Sequence, residues 1–392
     1  MIRRARSWLN PVEQPSHRDR IFGALRLGGT PHVLRPTRPA HPEITGLTVR
    51  TEAMIGHVTL TIAEVAGPRE PDFDSFVDVC VGVEKELSPD DPPLTPAEIE
   101  ADYFRPSAHR ELRSWLAHRD GRPVGAITIE IPHDANRDEL RPDIWVVSDQ
   151  RRQGIATELL RTGLHPVAEG RSRLGLWVET DAAGAFCRSL GLDHRQVERC
   201  SRLSVSDIDH RELQRWVEQA PARSEGYRLV SWQGPCPDEH MDAFCVAYDA
   251  MADIPLDDVE HRHTPLTPRD IRDKERAMAD SRTPIVSLVL APDGAAAGLT
   301  VLWANHSRPF LAEQDDTGVL PDHRGRGIGR WLKAANLSQT LADHTELRVI
   351  ETYNAESNPW MLAINVDMGF RPHKAYHAYQ GPLPEQLLDG RA

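Results

Sequence analysis

The positions of apolar residues predict an ordered series of strands and helices that begins near residue 57. Residues 57–65 alternate between apolar and polar side chains, which is the period of a strand with one buried face. Residues 72–87 have the spacing of an amphipathic helix instead. The residues that share its apolar side are Phe73, Phe76, Val77, Cys80 and Val83.

Further elements follow up to residue 204. Thr95, Pro96 and Glu98 have the spacing of a capping box with proline at the first helical position, which predicts a helix start. We then predict strands at 111–120, 123–132 and 139–148, a helix at 153–167, a strand at 173–180, a short helix through Phe186 and a final strand pair ending near Ser204.

The same order of elements recurs at a spacing of about 175 residues, which indicates a repeat of whole domains. A chain of 392 residues also exceeds what one hydrophobic core usually supports. We therefore predict an N-terminal domain at 54–204, a linker helix at 205–222 and a C-terminal domain at 223–392.

Residues 1–53 differ from the rest because they are rich in arginine and proline and show no helical or strand period. We predict a disordered extension. Two alternatives stay open: a basic tail that contacts nucleic acid or a membrane surface, and a true start of translation at Met54.

Composition narrows the class of protein. The net charge of −13 disfavours a general nucleic-acid-binding protein, and no run of about 18 apolar residues predicts a membrane span. The five cysteines are scattered without zinc-ligand spacing, so we expect no metal site and reduced thiols in a cytoplasm. The preference for arginine over lysine, with much alanine and proline, indicates a bacterial gene of high GC content.

The two copies align best on one segment, 143–160 in the first and 316–333 in the second. Each is an apolar strand followed by Arg-x-x-Gly-x-Ala or Arg-x-x-Gly-x-Gly at the start of a helix. Such a turn exposes backbone N–H groups at a helix N-terminus, which suits a pyrophosphate. Gly154 and Gly327 allow close approach of the backbone to a phosphate, and neighbouring arginines add positive charge. Neither segment has the full dinucleotide-binding or nucleotide-triphosphate motif.

These paired motifs resemble those of the GNAT (GCN5-related N-acetyltransferase) superfamily, over two copies from about residue 57 to 380. The resemblance implies two mixed α/β domains, each a twisted, mostly antiparallel sheet flanked by helices. It also implies acetyl-CoA or another acyl-CoA as co-substrate, with its pantetheine arm in a splay between the fourth and fifth strands. Mycothiol synthase has a similar tandem arrangement, although no motif narrows the activity to that enzyme.

The resemblance further implies contacts to the cofactor from both copies. The implied residues are Val146, Val147, Arg151, Arg152, Gln153, Gly154, Ile155 and Ala156 in the first copy, and Val319, Leu320, Arg324, Gly325, Arg326, Gly327, Ile328, Gly329, Asn354 and Asn358 in the second. The second copy also keeps the family's Gly-Phe signature at Gly369 and Phe370, whereas the first has Leu192 after Gly191. We therefore expect the C-terminal domain to be the catalytic one.

Acyl transfer to an amine needs a general base, and relatives carry a carboxylate on the fourth strand. Glu313 and Asp316 are the candidates for this role, with Asp315 nearby, although a solvated acidic strand end has the same pattern. In the first copy Leu140 aligns with Glu313, which leaves Glu179 as a candidate.

The general acid is harder to place. Many relatives have a tyrosine at the position of Asn365 in the second copy and Cys187 in the first. Tyr353, Tyr376 or a water molecule are the substitutes that we consider. Cys187 as a nucleophile is a weaker hypothesis, because no histidine pattern accompanies it.

The resulting prediction is a transferase that moves acetyl or a short acyl group from CoA to a primary amine of a small molecule. We expect no nucleic-acid or membrane partner, and a monomer or homodimer. Three alternatives stay open: a non-catalytic N-terminal module, an acyl-CoA-binding sensor, and a protein lysine acetyltransferase.

Overall fold

The computed structural model describes residues 50–55, 58–107 and 109–388. Most predicted elements are present within these ranges. The strands are β1 (Arg50–Ile55), β2 (Val58–Val65), β3 (Arg110–Arg119), β4 (Arg122–Pro132), β5 (Glu139–Val146), β6 (Arg173–Val178), β7 (Asp193–Ser204), β8 (Arg228–Gln233), β9 (Arg282–Leu290), β10 (Ala296–Asn305), β11 (Leu311–Val319), β12 (Val349–Ala355) and β13 (Arg371–Pro382). The helices are α1 (Phe73–Leu87), α2 (Pro96–Tyr103), α3 (Ile155–Leu164), α4 (Asp181–Ser189), α5 (His210–Arg223), α6 (Met241–Tyr248), α7 (Pro268–Met278), α8 (Ile328–Asp343) and α9 (Pro359–Met368).

The repeat has the predicted order. Strands β2 to β7 with helices α1 to α4 form the N-terminal half, and strands β8 to β13 with helices α6 to α9 repeat that order in the C-terminal half. Helix α5 connects them and begins at His210 rather than near residue 205, because the Asp209 side chain caps it. The predicted strand pair before residue 204 is a single strand, β7.

The predicted extension ends earlier than residue 53. Residues 50–53 belong to β1, which pairs antiparallel with β2, so this part of the expected disordered segment is a strand. Met54 lies inside the same strand. The remainder of the predicted extension, residues 1–49, lies outside the described residues.

A single sheet of thirteen strands joins the two halves across the described part of the chain, in the order β1-β2-β3-β4-β5-β6-β13-β7-β12-β11-β10-β9-β8. The strand pairs are antiparallel except β5 with β6 and β11 with β12. The mixed, mostly antiparallel fold class is therefore confirmed, but the two sheets are not separate. Strand β13 lies between β6 and β7, and β7 in turn pairs with β12, so the halves exchange their last strands.

This exchange also joins the hydrophobic cores. Tyr379, on the C-terminal strand β13, is buried in the apolar cluster of the N-terminal half, beside Leu192 and Leu383. Its hydroxyl accepts a hydrogen bond from Nη1 of Arg188 at 2.6 Å. Since a residue of one half fills the core of the other, we expect the halves to unfold together. No helix in the described ranges combines the length and hydropathy needed to cross a membrane.

Tyr379→Ala tests this coupling. We expect it to lower the free energy of unfolding by about 3–5 kcal/mol, because it removes a buried aromatic ring. Tyr379→Phe is the matched control and is expected to cost only about 1 kcal/mol, since it removes a hydrogen bond and keeps the ring. Denaturant unfolding followed by tryptophan fluorescence and by circular dichroism measures both. A separate early transition in the alanine variant, with the other half unaffected, would contradict the coupling.

Candidate active site in the C-terminal half

The two glycine-containing turns have the same unusual backbone. Gly154 and Gly327 have left-handed φ angles of 83° and 80° at the start of α3 and α8. Two residues earlier, Arg152 and Gly325 are also left-handed, at 64° and 76°. This alternation directs successive N–H groups toward one point and forms a concave anion site. Glycine adopts it without strain, whereas Arg152 does so at a cost, which favours the second turn.

The first arginine of each motif holds its turn in place. Nε of Arg151 donates to the carbonyl of Val146 at 2.9 Å, and Nε of Arg324 donates to the carbonyl of Val319 at 2.9 Å. Each guanidinium also forms an ion pair with a carboxylate, at 2.7 Å for Arg151 with Glu86 and 2.8 Å for Arg324 with Asp253. Both arginines therefore shape the turn and remain at its rim.

The two turns differ at the residue directly before the helix-capping glycine, which is Gln153 in the N-terminal half and Arg326 in the C-terminal half. In the C-terminal half, the guanidinium of Arg326 lies over the ring of Tyr227 at 5.7 Å, and the Ser224 hydroxyl donates to the carbonyl of Arg326 at 3.0 Å. In the N-terminal half, Gln153 takes the equivalent position and its amide donates back to the carbonyl of Asp149 at 3.1 Å. Each turn still carries two arginines, which are Arg151 and Arg152 in the first and Arg324 and Arg326 in the second.

Both halves contain the predicted splay. Strands β11 and β12 pair from Leu311–Val349 to Gln314–Thr352 and then separate, and β5 and β6 pair at only two positions. The N–H groups of Val147 and Leu320 donate to β4 and β10 carbonyls, at 3.1 and 2.9 Å. Because N–H directions alternate along a strand, those of Val146 and Val319 face the splay. In each predicted pair, the N–H of the first residue (Val146 or Val319) is therefore available to a ligand, whereas that of the second (Val147 or Leu320) is not.

Of the two fourth strands, β5 and β11, only β11 is bulged in its pairing with the third strand. The register between β10 and β11 shifts so that Asp315 and Asp316 lie opposite the single residue Val301. The Gln314 amide fixes the bulge by donating to the Thr300 hydroxyl at 3.0 Å and to the Val301 carbonyl at 2.7 Å. The equivalent β4–β5 pairing is regular. Bulges re-aim side chains and are frequent beside active sites.

The bulge brings the predicted carboxylates together. Glu313 and Asp315 are half-buried, whereas Asp316 is only 5% exposed and its Oδ2 has no hydrogen-bond partner among the described residues. Asp315 accepts from Nε1 of Trp303 at 2.9 Å and lies 3.7 Å from Nζ of Lys274. Burial, with the charges of Asp315 and Glu313, raises the pKa of Asp316 well above its ordinary value.

A fourth carboxylate, Glu198, joins this cluster from the exchanged strand β7. It is 3% exposed and lines the cavity between β11 and β12. Burial raises its pKa to about 8, and the charges of Glu313 and Asp315 contribute. Sequence reasoning missed Glu198 because β7 belongs to the first copy, and no local pattern shows that it pairs with β12.

Tyr353 is the predicted acid that the structure brings closest to the cluster. It lines the same cavity, and its hydroxyl donates to Oε2 of Glu351 at 3.3 Å. Burial of this hydroxyl, together with Cys200 and Glu351, raises its pKa well above the ordinary value. Tyr353 therefore keeps its proton at neutral pH. Tyr376 is buried with its ring centroid 5.8 Å from that of Tyr353.

The two predicted asparagines line this cavity but also have structural partners. Asn354 accepts from the amide of Asn365 at 2.6 Å, and Asn358 caps α9 by accepting from the N–H of Met361 at 3.1 Å. Asn365, at the position of the relatives' tyrosine, is thus held beside the cavity by Asn354 and cannot serve as a proton donor of similar strength.

Two cavities meet at the carboxylate cluster. One lies between β11 and β12, and the other lies between the two halves; Met251, Glu313 and Asp315 line both. A segment at 254–266 covers the second cavity and is tied to the N-terminal half. The Asn136 side chain exchanges two hydrogen bonds with the backbone of Arg262, at 2.7 and 2.9 Å. The N-terminal half therefore forms one wall of the cavity.

The N-terminal half keeps only part of this chemistry. Asp143, which aligns with Asp316, is also 5% exposed, but Leu140 aligns with Glu313 and is fully buried in an apolar cluster that includes Leu176 and Cys187. Burial raises the pKa of Cys187 to about 12, which disfavours it as a nucleophile. Glu179 lies 3.5 Å from Nζ of Lys374 in an ion pair.

One group of side chains has metal-ligand geometry in the described part of the chain. Ligand atoms of Asp91, Glu351 and His373 lie within 4.8 Å of one another. The guanidinium of Arg202 lies 2.5 Å from the carboxylates of both Asp91 and Glu351. Arginine therefore supplies the cation here, and the group is an ion-pair network.

Comparison with known proteins agrees with this geometry. Two segments, residues 81–192 and 248–363, match the acetyltransferase (GNAT) family, and together they make up more than half of the chain. The chain belongs to the GNAT acetyltransferase family. Both copies of the GNAT unit are matched, so the predicted tandem arrangement is confirmed.

Solved structures extend the comparison. A tandem GNAT protein from the clavulanic acid biosynthesis pathway, solved without acetyl-CoA, is 25% identical over 82% of this chain and 98% of its own, with a TM-score of 0.68. A GNAT protein from Sphaerobacter thermophilus is 14% identical over 82% and 95%, with a TM-score of 0.59. The glucosamine N-acetyltransferase region of a fungal GH3 β-N-acetylglucosaminidase is 14% identical over 83% and 38%, with a TM-score of 0.59. At 14% identity, the similarity to the last two structures shows the fold alone. No curated protein sequence matches the chain.

Lys333 is an unexpected cation in this GNAT site. It lines the cavity between β11 and β12, is 1% exposed and lies 5.8 Å from the ring of Phe370. Burial lowers its pKa from 10.5 to about 7. A buried amine of this kind destabilises the fold whenever it is charged.

Lys333→Met is therefore expected to stabilise the protein, most strongly at or below pH 7. There the folded protein must hold a charged Lys333, at a cost on the order of 4 kcal/mol. Above pH 7 the folded state is neutral while the unfolded chain still binds the proton, so the cost falls and vanishes near the unfolded pKa of 10.5. Melting temperatures at about pH 6.5 and about pH 9.5 measure this difference.

The exposed Lys85 supplies the control, since Lys85→Met removes a charge that is already solvated. It is expected to change the melting temperature little at either pH. If Lys333→Met raised the melting temperature equally at both pH values, the buried amine would have no pH-dependent effect on stability.

Proposed function

We propose that the chain is an acyl-CoA-dependent N-acyltransferase whose C-terminal half transfers acetyl or a short acyl group to a primary amine of a small molecule. The observation that carries this proposal is the bulge in β11. It places Glu313, Asp315 and Asp316 where the β11–β12 splay opens into the cavity between the halves.

The residues of the C-terminal turn fit the pyrophosphate of CoA. The N–H groups at the start of α8 have no intrahelical partner, and Gly325 leaves open space where a Cβ would lie. A Cβ on Gly327 would lie 3.4 Å from Cδ of Arg223, so this arginine borders the turn beside Arg326. CoA supplies the activated acyl group as a thioester, and the Val319 N–H faces the splay in which the pantetheine arm would lie.

The cluster supplies what an amine acceptor needs. An amine reacts only when neutral, and a nearby carboxylate with a raised pKa can accept its proton near neutral pH. A backbone N–H of β11 can polarise the thioester carbonyl. Tyr353 keeps its proton and lines the same cavity, which supports it as the donor to the leaving thiolate.

The cavity between the halves favours a cationic acceptor. Its described lining includes seven carboxylates and four arginine or lysine side chains. Several of the cations are already paired, such as Arg282 with Asp102 at 2.9 Å and Arg110 with Glu130 at 3.2 Å. The remaining negative potential would attract an ammonium group. A small amine therefore fits better than a long peptide, although a lysine side chain remains the second candidate.

We propose that the N-terminal half is a non-catalytic module. Leu140 and the regular β4–β5 pairing leave it without the base and the bulge. It still shapes the acceptor cavity through β4 to β6 and the docked segment 254–266. The cytoplasmic location, bacterial origin and oligomeric state expected from the sequence stay predictions.

Gly327→Glu is expected to abolish acetyl-CoA binding, because a carboxylate would project into the anion site at the start of α8. Gly154→Glu is the matched control, since both glycines have nearly the same left-handed φ and suffer the same backbone strain. We expect it to retain binding. Isothermal titration calorimetry with acetyl-CoA, after circular dichroism has verified folding, measures both variants. If acetyl-CoA did not bind to the wild type, the proposed acyltransferase function would be excluded.

Glu313→Gln distinguishes an enzyme from an acyl-CoA sensor. We expect it to lower kcat/KM by about tenfold or more through loss of a carboxylate beside the acceptor, with acetyl-CoA affinity unchanged. Release of CoA thiol in the presence of primary amines measures the rate. Binding of acetyl-CoA without turnover in the wild type, with all amines tested, would favour the sensor.

A further inference from the structure

Glu198 reaches the C-terminal active site only because the halves exchange strands. It lies on β7, opposite Ala355 of β12. It lines the cavity between β11 and β12 together with Glu313, Asp316 and Tyr353. A residue of the first copy is thus part of the site that the second copy builds.

The environment of Glu198 is unusual for a structural glutamate. Its Oε2 is buried and has no hydrogen-bond partner among the described residues. Gln196, two residues earlier on the same face of β7, donates to the carbonyl of Pro255 at 3.1 Å and holds that face against the covering segment. A buried polar atom without a partner costs about 1–3 kcal/mol. A donor brought by a ligand would remove that cost.

The other carboxylates of the cluster are less suited to accept a proton. Asp315 is already bound by Trp303 and Lys274. Burial and the charges of Asp315 and Glu313 raise the pKa of Asp316 well above its ordinary value, which favours its protonated form. Glu313 is half-buried and lines both cavities, where it can attract an ammonium group. The pKa of about 8 gives Glu198 a proton affinity close to the working pH of a general base.

We infer that Glu198 of the N-terminal half is the general base of the C-terminal active site. This inference rests on the proposed N-acyltransferase function. The ammonium group of the acceptor loses one proton to Oε2 of Glu198, and the electron pair of that N–H bond stays on nitrogen. The neutral amine then forms the C–N bond while the C–S bond of the thioester breaks. The sulfur leaves with the electron pair of that bond and takes the second proton of the nitrogen, directly or through Tyr353.

The chain offers a control on the other exchanged strand. His377 lies on β13 opposite Val178 of β6, and its Nδ1 lies 3.1 Å from Nε2 of His194. It is not among the described residues that line the two cavities. His377→Gln therefore changes a polar side chain on an exchanged strand outside the proposed site.

The experiment compares wild type, Glu198→Gln and His377→Gln with acetyl-CoA and a panel of primary amines: glycine, lysine, spermidine and glucosamine. Release of CoA thiol gives the rate from about pH 6 to about pH 9.5. We expect Glu198→Gln to lower kcat/KM by about 100-fold or more, and to remove an inflection near pH 8 from its pH profile. Acetyl-CoA affinity by calorimetry stays the same. His377→Gln keeps the wild-type rate and profile.

Glu198→Asp separates catalysis from packing. It keeps a carboxylate on a shorter side chain, so it is expected to retain more activity than Glu198→Gln and to keep the inflection. Equal losses in both variants, or wild-type activity with an unchanged pH profile in Glu198→Gln, would overturn the role of Glu198 and leave the acyltransferase standing. A wild type that binds acetyl-CoA but acylates no amine would overturn the proposed function, and this inference with it.

Discussion

The exchange of β7 and β13 is the constraint on which the rest of the structure depends. A sheet with a missing strand exposes unpaired N–H and C=O groups along the gap, and such edges are unstable in water. In this chain β13 fills the gap beside β6 and β7 fills the gap beside β12. Each half completes its hydrogen bonding with a strand of the other, so the backbone itself couples the two halves. Burial of Tyr379 in the core of the other half adds a side-chain contribution to the same coupling.

The exchange also brings residues of both halves to one cavity. An approximate twofold relation would produce two splays with two sets of lining residues. The C-terminal splay has a bulge with three acidic residues around it, whereas the N-terminal splay has a regular strand with Leu140, Pro142 and Asp143 at the aligned positions. The N-terminal half also forms one wall of the cavity between the halves. The hydrogen bonds between Asn136 and Arg262 hold this arrangement.

The sequence predicted features that depend on local pattern. Periodicity located nearly all the strands and helices, and the glycine spacing located the two turns whose left-handed residues the structure shows. The pairing of strands could not be predicted in this way, because the alternating pattern of β7 is compatible with either neighbouring strand. The sequence could therefore not place Glu198 beside Glu313. Nor could it show that the N–H groups of Val147 and Leu320 donate to the adjacent strand, because those hydrogen bonds depend on the register.

Burial of the carboxylate cluster destabilises the fold, and this destabilisation is itself an argument that the cluster has a function. Glu198 and Asp316 are nearly fully buried, each with an oxygen that lacks a partner in the described structure, and Lys274 forms an ion pair with Asp315. Mutual repulsion and desolvation raise their pKa values instead of being relieved by cations. Such an arrangement persists only where surrounding structure over-determines it, and here the joined sheet does so. A cluster kept for stability would have acquired arginines, as the Asp91–Glu351 pair has in Arg202. The cluster beside β11 has instead kept its proton affinity, which is the property that a cationic amine acceptor requires.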